Sequence, residues 1–121
     1  MKTWIILGAV LAASAVGLGA FGAHFLKDRI SPADLLIFET GIKYHMYHAL
    51  GLILLGILGL HYGLNMVNVS AVLIFTGIIL FSGSLYLLVF TGLRWMGIIT
   101  PLGGLCFISG WIILVLKLLK T

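Results

Sequence analysis

Four long apolar runs set what this chain can become: Trp4 to Leu26, Tyr44 to Tyr62, Ala71 to Phe90, and Pro101 to Leu116. The last extends to Leu119 if Lys117 snorkels. Each is close to the roughly 20 residues that a helix needs to cross about 30 Å of hydrocarbon. In lipid every backbone donor and acceptor must find its partner within the protein, so only helices and closed barrels cross. Barrel strands alternate apolar and polar positions, and these runs do not. The pattern predicts an all-α membrane protein, an antiparallel bundle of four transmembrane helices in one domain, residues 1–121, with spans near 4–26, 44–62, 71–90 and 101–119.

Composition excludes the alternatives. The 121 residues are 62% hydrophobic and 8% charged, with seven Lys or Arg and three Asp or Glu. An ordinary soluble domain is about 25% charged, and a small one needs a polar shell over most of its residues. A soluble enzyme, a disordered tail and a free nucleic-acid binder are therefore ruled out. Lys2, Lys27, Arg29, Lys43, Arg94, Lys117 and Lys120 flank the apolar runs instead of clustering. That is the placement of interfacial anchors, so membrane lipids are the expected partner and nucleic acid is not. The single Cys106 lies within an apolar run and reads as a structural thiol. Lys2, the apolar stretch and Ala13-Ser14-Ala15 also fit a secretory signal peptide, but the run continues to Leu26, which favours a retained span.

Helix ends carry local signals. Ser31-Pro32-Ala33-Asp34 offers a capping serine, a proline at the first helical position and an acid three residues after the cap. A helix is expected to start at Pro32. Leu35, Leu36, Phe38 and Ile42 give it an apolar side, and Asp34, Glu39 and Lys43 a polar one. Glu39 and Lys43 stand one turn apart in the favourable order. Residues 32–42 are expected to form a short interfacial amphipathic helix between the first and second spans, either bending near Gly41 or running straight on. Thr100-Pro101 is expected to cap the fourth helix. Gly63, Asn65 and Asn68 mark the second turn, and Thr91-Gly92 the third.

The first run holds two rows of small residues: Ala15, Gly19 and Ala23, and Ala9, Ala13 and Gly17. Such rows let helix backbones approach closely in lipid. The first helix is expected to be central, touched on two sides, either by neighbours in its own bundle or along a seam with a homo-oligomer or another membrane protein.

Short connections force antiparallel neighbours. The end of helix one, the start of two, the end of three and the start of four then share a side. These places hold His24; Glu39, Tyr44, His45, Tyr47 and His48; Ser82, Ser84, Tyr86 and Thr91; and Thr100, Pro101, Gly103 and Gly104. The candidate polar cluster is His24, Glu39, Tyr44, His48, Ser82, Ser84, Tyr86 and Thr100. The opposite side, with Trp4, His61, Tyr62, Asn65 and Trp111, reads as belt and turn residues.

GAFGAH, the ETG and MYHAL stretch, FSGSLYLL and ITPLGG, in this order, resemble the YgdD/YwdK-type family of small membrane proteins, a domain of unknown function. The resemblance covers nearly the whole chain. It implies a four-span protein of the bacterial cytoplasmic membrane, with relatives in eukaryotes, and it implies no activity. His45 stands where the family pattern usually has Gln, and Phe25 where it usually has Gly.

The residues offer little chemistry beyond this. His45 and His48 lack the one-turn spacing of a helical zinc pair, and no HExxH occurs, so neither metal nor another cofactor is expected. A haem would need His24 and His48 on opposite faces of the ring. A transport path would use Glu39 if it were pulled inward. No catalytic constellation or phosphate-binding loop is recognisable, so no catalytic residue is assigned and the chain is expected not to be an enzyme. The expected role is membrane organisation, membrane integrity or interaction with a partner. A transporter or channel with a polar site at one membrane side is the alternative, and haem or metal binding a second. For orientation, Lys2, Lys117 and Lys120 stand against Lys27, Arg29, Lys43 and Arg94. This near balance leaves dual insertion open, while Lys2 and the terminal amine beside the first span favour cytoplasmic termini in the cell membrane.

Overall fold

The computed structural model describes residues 2–121; the terminal amine that enters the charge balance lies outside them. Four long apolar helices form the bundle: α1 over Thr3–Leu26, α2 over Pro32–Tyr62, α3 over Leu64–Thr91 and α4 over Thr100–Leu119. A 3₁₀ turn, Arg94–Ile98, leads into α4. Among the described residues there is no strand.

The capping signal at Ser31 is used as read. Its Oγ accepts the Asp34 N–H at 3.1 Å, with Pro32 opening the helix. From there α2 runs 31 residues without a break, about 46 Å at 1.5 Å per residue. Residues 32–42 therefore do not make a separate interfacial helix. They take the straight form and carry the second span about three turns beyond the hydrocarbon. Gly41 makes no bend. Its missing Cβ makes room for the Tyr86 ring, whose Cε1 would lie 2.8 Å from an added methyl.

The second turn is tighter than the sequence suggests. Gly63, at φ +97°, is the only residue between α2 and α3. Asn65 and Asn68, expected in the turn, lie in the first turns of α3. There they serve neighbouring helices: the Trp4 indole donates to Asn68 Oδ1 at 2.9 Å, and Lys117 Nζ donates to the Asn65 carbonyl at 2.7 Å. Gly92, at φ +74°, ends α3 as Thr91-Gly92 implied. Thr100 opens α4, but its side chain makes no capping bond and turns to α3 instead.

α1 is not central. It packs on α2, and it is the least buried of the four spans. Only one of its small rows is covered. Ala15 is buried, and an added methyl on Gly19 would meet Ile42. Ala9 and Ala13 are exposed, and nothing lies within 4 Å of where a Gly17 Cβ would stand. The centre belongs to α2 and α3, with α4 against α3. Close approach explains why α2 can take this place. An added methyl on Gly56 would lie 2.9 Å from the Ile5 backbone nitrogen, and one on Gly8 would lie 2.8 Å from the Ala49 carbonyl. Glycine on each side lets α1 and α2 pack at backbone distance, where dispersion and interhelical contacts replace the missing hydrophobic drive.

Two apolar cores result. Leu52, Leu55, Val67, Ala71, Ile74, Ile78, Phe107 and Leu114 form one, toward the termini. Leu26, Phe38, Leu88, Val89 and Met96 form the other, under the first and third connections. Trp111, expected in the interfacial belt, is half-buried instead, with its ring across Gly51.

Candidate functional site

Between these cores lies a polar layer. Phe38 belongs to one core and Leu52 to the other, and the buried His45 and His48 stand between them on α2. Facing them are the buried Ser82 and Ser84 and the half-buried Tyr86 of α3. By axial rise the layer begins at the edge of the hydrocarbon, near Gly41 and His45, and reaches about one and a half turns inside it at His48.

A directed hydrogen-bond chain ties three helices here. Ser14 Oγ donates its one proton to the Leu11 carbonyl at 2.8 Å. It must then accept from His45 Nε2, which is 3.2 Å away. With its proton on Nε2, a neutral His45 accepts at Nδ1 from the Tyr86 hydroxyl at 2.8 Å. The order of donation is Tyr86 to His45 to Ser14 to Leu11, from α3 through α2 to α1. Ser82 adds a second link, its Oγ donating to the Gly41 carbonyl at 2.7 Å. Ser84 gives its proton to the Phe81 carbonyl at 2.9 Å, so Thr100 is the donor in the 2.6 Å contact between their hydroxyls. That contact joins α3 to α4. His48 donates from Nδ1 to the Tyr44 carbonyl one turn back, at 2.8 Å. Its ring lies flat on Phe107, centroids 3.6 Å apart.

Two π-helical turns shape this region, Leu18–Gly22 in α1 and Ile78–Ser82 in α3. In each a backbone bond skips one residue more than in an α-helix: Ala23 N–H reaches the Leu18 carbonyl, and Gly83 N–H reaches the Ile78 carbonyl. Such bulges widen a helix locally and recur at functional sites. The α3 bulge pushes the Phe81 backbone against α4, and Gly103 receives it. The α1 bulge faces Phe38 and Ile42 of α2.

The structure thus joins Ser84 to Thr100, brings Tyr86 and Ser82 to α2, and sets the Tyr44 ring 4.6 Å from that of Phe81. It does not bring in His24. That residue is exposed at the end of α1. Gly22 packs opposite Phe38, so His24 stands roughly 15 Å or more along the axis from His48. Glu39 is half-buried at the bundle's edge, in a groove with Gly19, Ala23, Ile42 and Lys43. Among the described residues no three His, Cys, Asp or Glu side chains assemble into a group that could hold a metal ion. Sequence reasoning misses the chain's centre. It leaves out His45 because the family pattern has Gln there, and Ser14 because it sits inside a plain apolar run. The small residues around Ser14 were the available signal, since a close helix contact is where one hydroxyl can reach across.

The ion pair outside the layer ties the start of α2 to the third connection. Arg94 grips Asp34 with both nitrogens, each bond 2.9 Å. Asp34 lies in the first turn of α2, beyond the hydrocarbon, and the Arg94 guanidinium holds its carboxyl below the ordinary carboxylate value. A carboxylate depressed in this way stabilises the fold above its unfolded value and ceases to as pH falls through its folded one. Asp34→Asn is expected to melt below wild type at neutral pH and together with it below the ordinary carboxylate range. Melting curves across pH check this, and a gap that stays constant refutes it.

The family model described as a protein of unknown function, DUF423, matches residues 18–104. The chain belongs to the DUF423 family. Full-length relatives agree. A UPF0382 membrane protein of Staphylococcus epidermidis is 50% identical over 120 residues, covering 99% of this chain and 98% of its own. The UPF0382 membrane protein YwdK of Bacillus subtilis is 50% identical over 121 residues, with the same coverage. One from Staphylococcus haemolyticus is 46% identical over 120 residues, again at 99% and 98%. No solved structure matches. The DUF423 match runs from the π-turn of α1 to the glycine pair of α4, so it contains every part of the polar layer except Leu11, Ser14 and Phe107. This is a membrane protein of a family whose function is unknown.

Proposed function

We propose that this DUF423 protein is a non-enzymatic component of the cell membrane that acts by lateral association, with lipids and with another transmembrane helix. In the orientation we propose, the termini are cytoplasmic. The observation that carries the reading is the state of α1. It packs mainly on α2, touching α3 at Trp4, and leaves Ala9, Ala13 and Gly17 uncovered, flanked by Ile6, Val10 and Val16, each more than half exposed. A row of small residues between branched apolar ones lets a second helix approach closely. The polar layer supports the same reading, because its hydroxyls and imidazoles hydrogen-bond to one another and to carbonyls across helices. An internal lock of this kind holds a shape that can be presented to a partner.

The test is cysteine cross-linking in native membranes, in a Cys106→Ser background. Cysteines at positions 9, 13 and 17 are expected to form adducts, with a second copy or another protein, in clear excess over a cysteine at the exposed Val115 of α4. Equal yields at both faces would sink the proposal.

A further inference from the structure

The groove holding Glu39 is separate from the polar layer and from the outer face of α1. It has a volume of about 190 Å³ and is lined by Gly19 and Ala23 of α1 and by Glu39, Ile42 and Lys43 of α2. Gly19 belongs to the π-turn, so the local widening of α1 forms one wall. The depth follows from helix length. α2 spans about 46 Å and the hydrocarbon about 30 Å. With Tyr62 at the far surface, residues 39–43 fall in the headgroup layer. Tyr44 and Tyr47, both exposed and with rings 5.9 Å apart, form the aromatic belt just below.

Two opposite charges enter this groove from successive turns of one helix. Glu39 and Lys43 are spaced to pair with each other. Yet the ion pair found among the described residues is Asp34 with Arg94, and neither Glu39 nor Lys43 takes part in one. The groove therefore presents a carboxylate and an ammonium side by side at headgroup depth. The complement is a group with a phosphate and a primary ammonium joined by a short link. Seven residues further on α2 the same face carries Leu50, about half exposed. It continues the groove as apolar surface in the direction of the acyl chains.

We propose that this groove binds the headgroup of an aminophospholipid, its phosphate on Lys43 and its ammonium on Glu39. A purely anionic headgroup would set its charge against Glu39. A choline headgroup has no N–H to donate to the carboxylate. The proposal holds whether or not the outer face of α1 has a partner.

The experiment reconstitutes the full chain in nanodiscs of phosphatidylcholine containing equal small fractions of phosphatidylethanolamine and phosphatidylglycerol with matched acyl chains. Lipid retained on gentle release is read by native mass spectrometry. Phosphatidylethanolamine is expected to be retained about fivefold over either of the others, the ratio given by one exposed charge-assisted contact. Glu39→Gln is expected to bring phosphatidylethanolamine down to the phosphatidylcholine level, and Lys43→Gln to lower retention of all three. Equal retention of the three lipids by the wild-type chain overturns the proposal, and this arm needs no variant to fold. A preference that survives Glu39→Gln in a folded variant also overturns it, as does a preference for phosphatidylglycerol.

Discussion

Gly103→Ala is expected to destabilise the bundle by roughly 3 kcal/mol or more, at the upper end of what overpacking costs. An added methyl would stand 2.7 Å from Phe81 Cβ and 2.8 Å from Phe81 Cα, and closer still to the backbone nitrogen of that residue. These are backbone-anchored atoms of a π-turn, and no rotamer change can move them aside. Either α4 separates from α3 or the bulge refolds, and both would disturb the Ser84–Thr100 contact one turn away. The neighbouring glycine supplies the control. A methyl on Gly104 would find its nearest contact at 3.9 Å, on Phe81 Cδ2. Gly104→Ala is therefore expected to be neutral or to stabilise by up to about 1 kcal/mol through helix propensity. Heat-resistance curves of the two variants in bicelles check the contrast. Similar behaviour of the pair would show that the π-turn is not held by α4.

His45→Leu is expected to cost about 2 kcal/mol, and His45→Gln less than about 1 kcal/mol. Leucine fills most of the volume but leaves the Tyr86 hydroxyl without its acceptor inside the hydrocarbon, and it removes the link to Ser14. Glutamine keeps both functions on one side chain, an amide N–H for Ser14 and an amide oxygen for Tyr86. If bridging three helices is what the residue does, Gln rescues and Leu does not. Equal losses for the two variants would mean that the ring's packing matters and its hydrogen bonds do not. The effects of Ser14→Ala and Tyr86→Phe are expected to be non-additive with those of His45→Leu, since all three break one chain.

Much of this was readable beforehand because it depends on short stretches of sequence. Four spans follow from runs of apolar residues, the start of α2 from Ser31-Pro32, and the end of α3 from Thr91-Gly92. The candidate site was only partly readable. Ser84 and Thr100 meet because short connections impose antiparallel order, while Tyr86, two residues on, faces α2 and joins His45. His24 was misplaced for an equally physical reason. Being near a helix end put it on the right side of the membrane, but depth and direction depend on how far α1 slides along α2, and that is set by Gly8, Gly22 and Gly56 meeting specific residues. The π-turns left no local signal, since LGAFG and IILFS are ordinary apolar segments whose extra residue is absorbed only against a neighbour.

The sequence by itself determined the solvent, the number of spans and their alternation, because the backbone of an apolar run has no other way to satisfy its hydrogen bonds in lipid. Tertiary structure decided which helix lies outside, which small row is covered, and which polar groups meet. Those outcomes turn on contacts of a few tenths of an ångström between backbones far apart in the chain, as where Phe81 presses into the space that Gly103 leaves. No local pattern of residues encodes such distances.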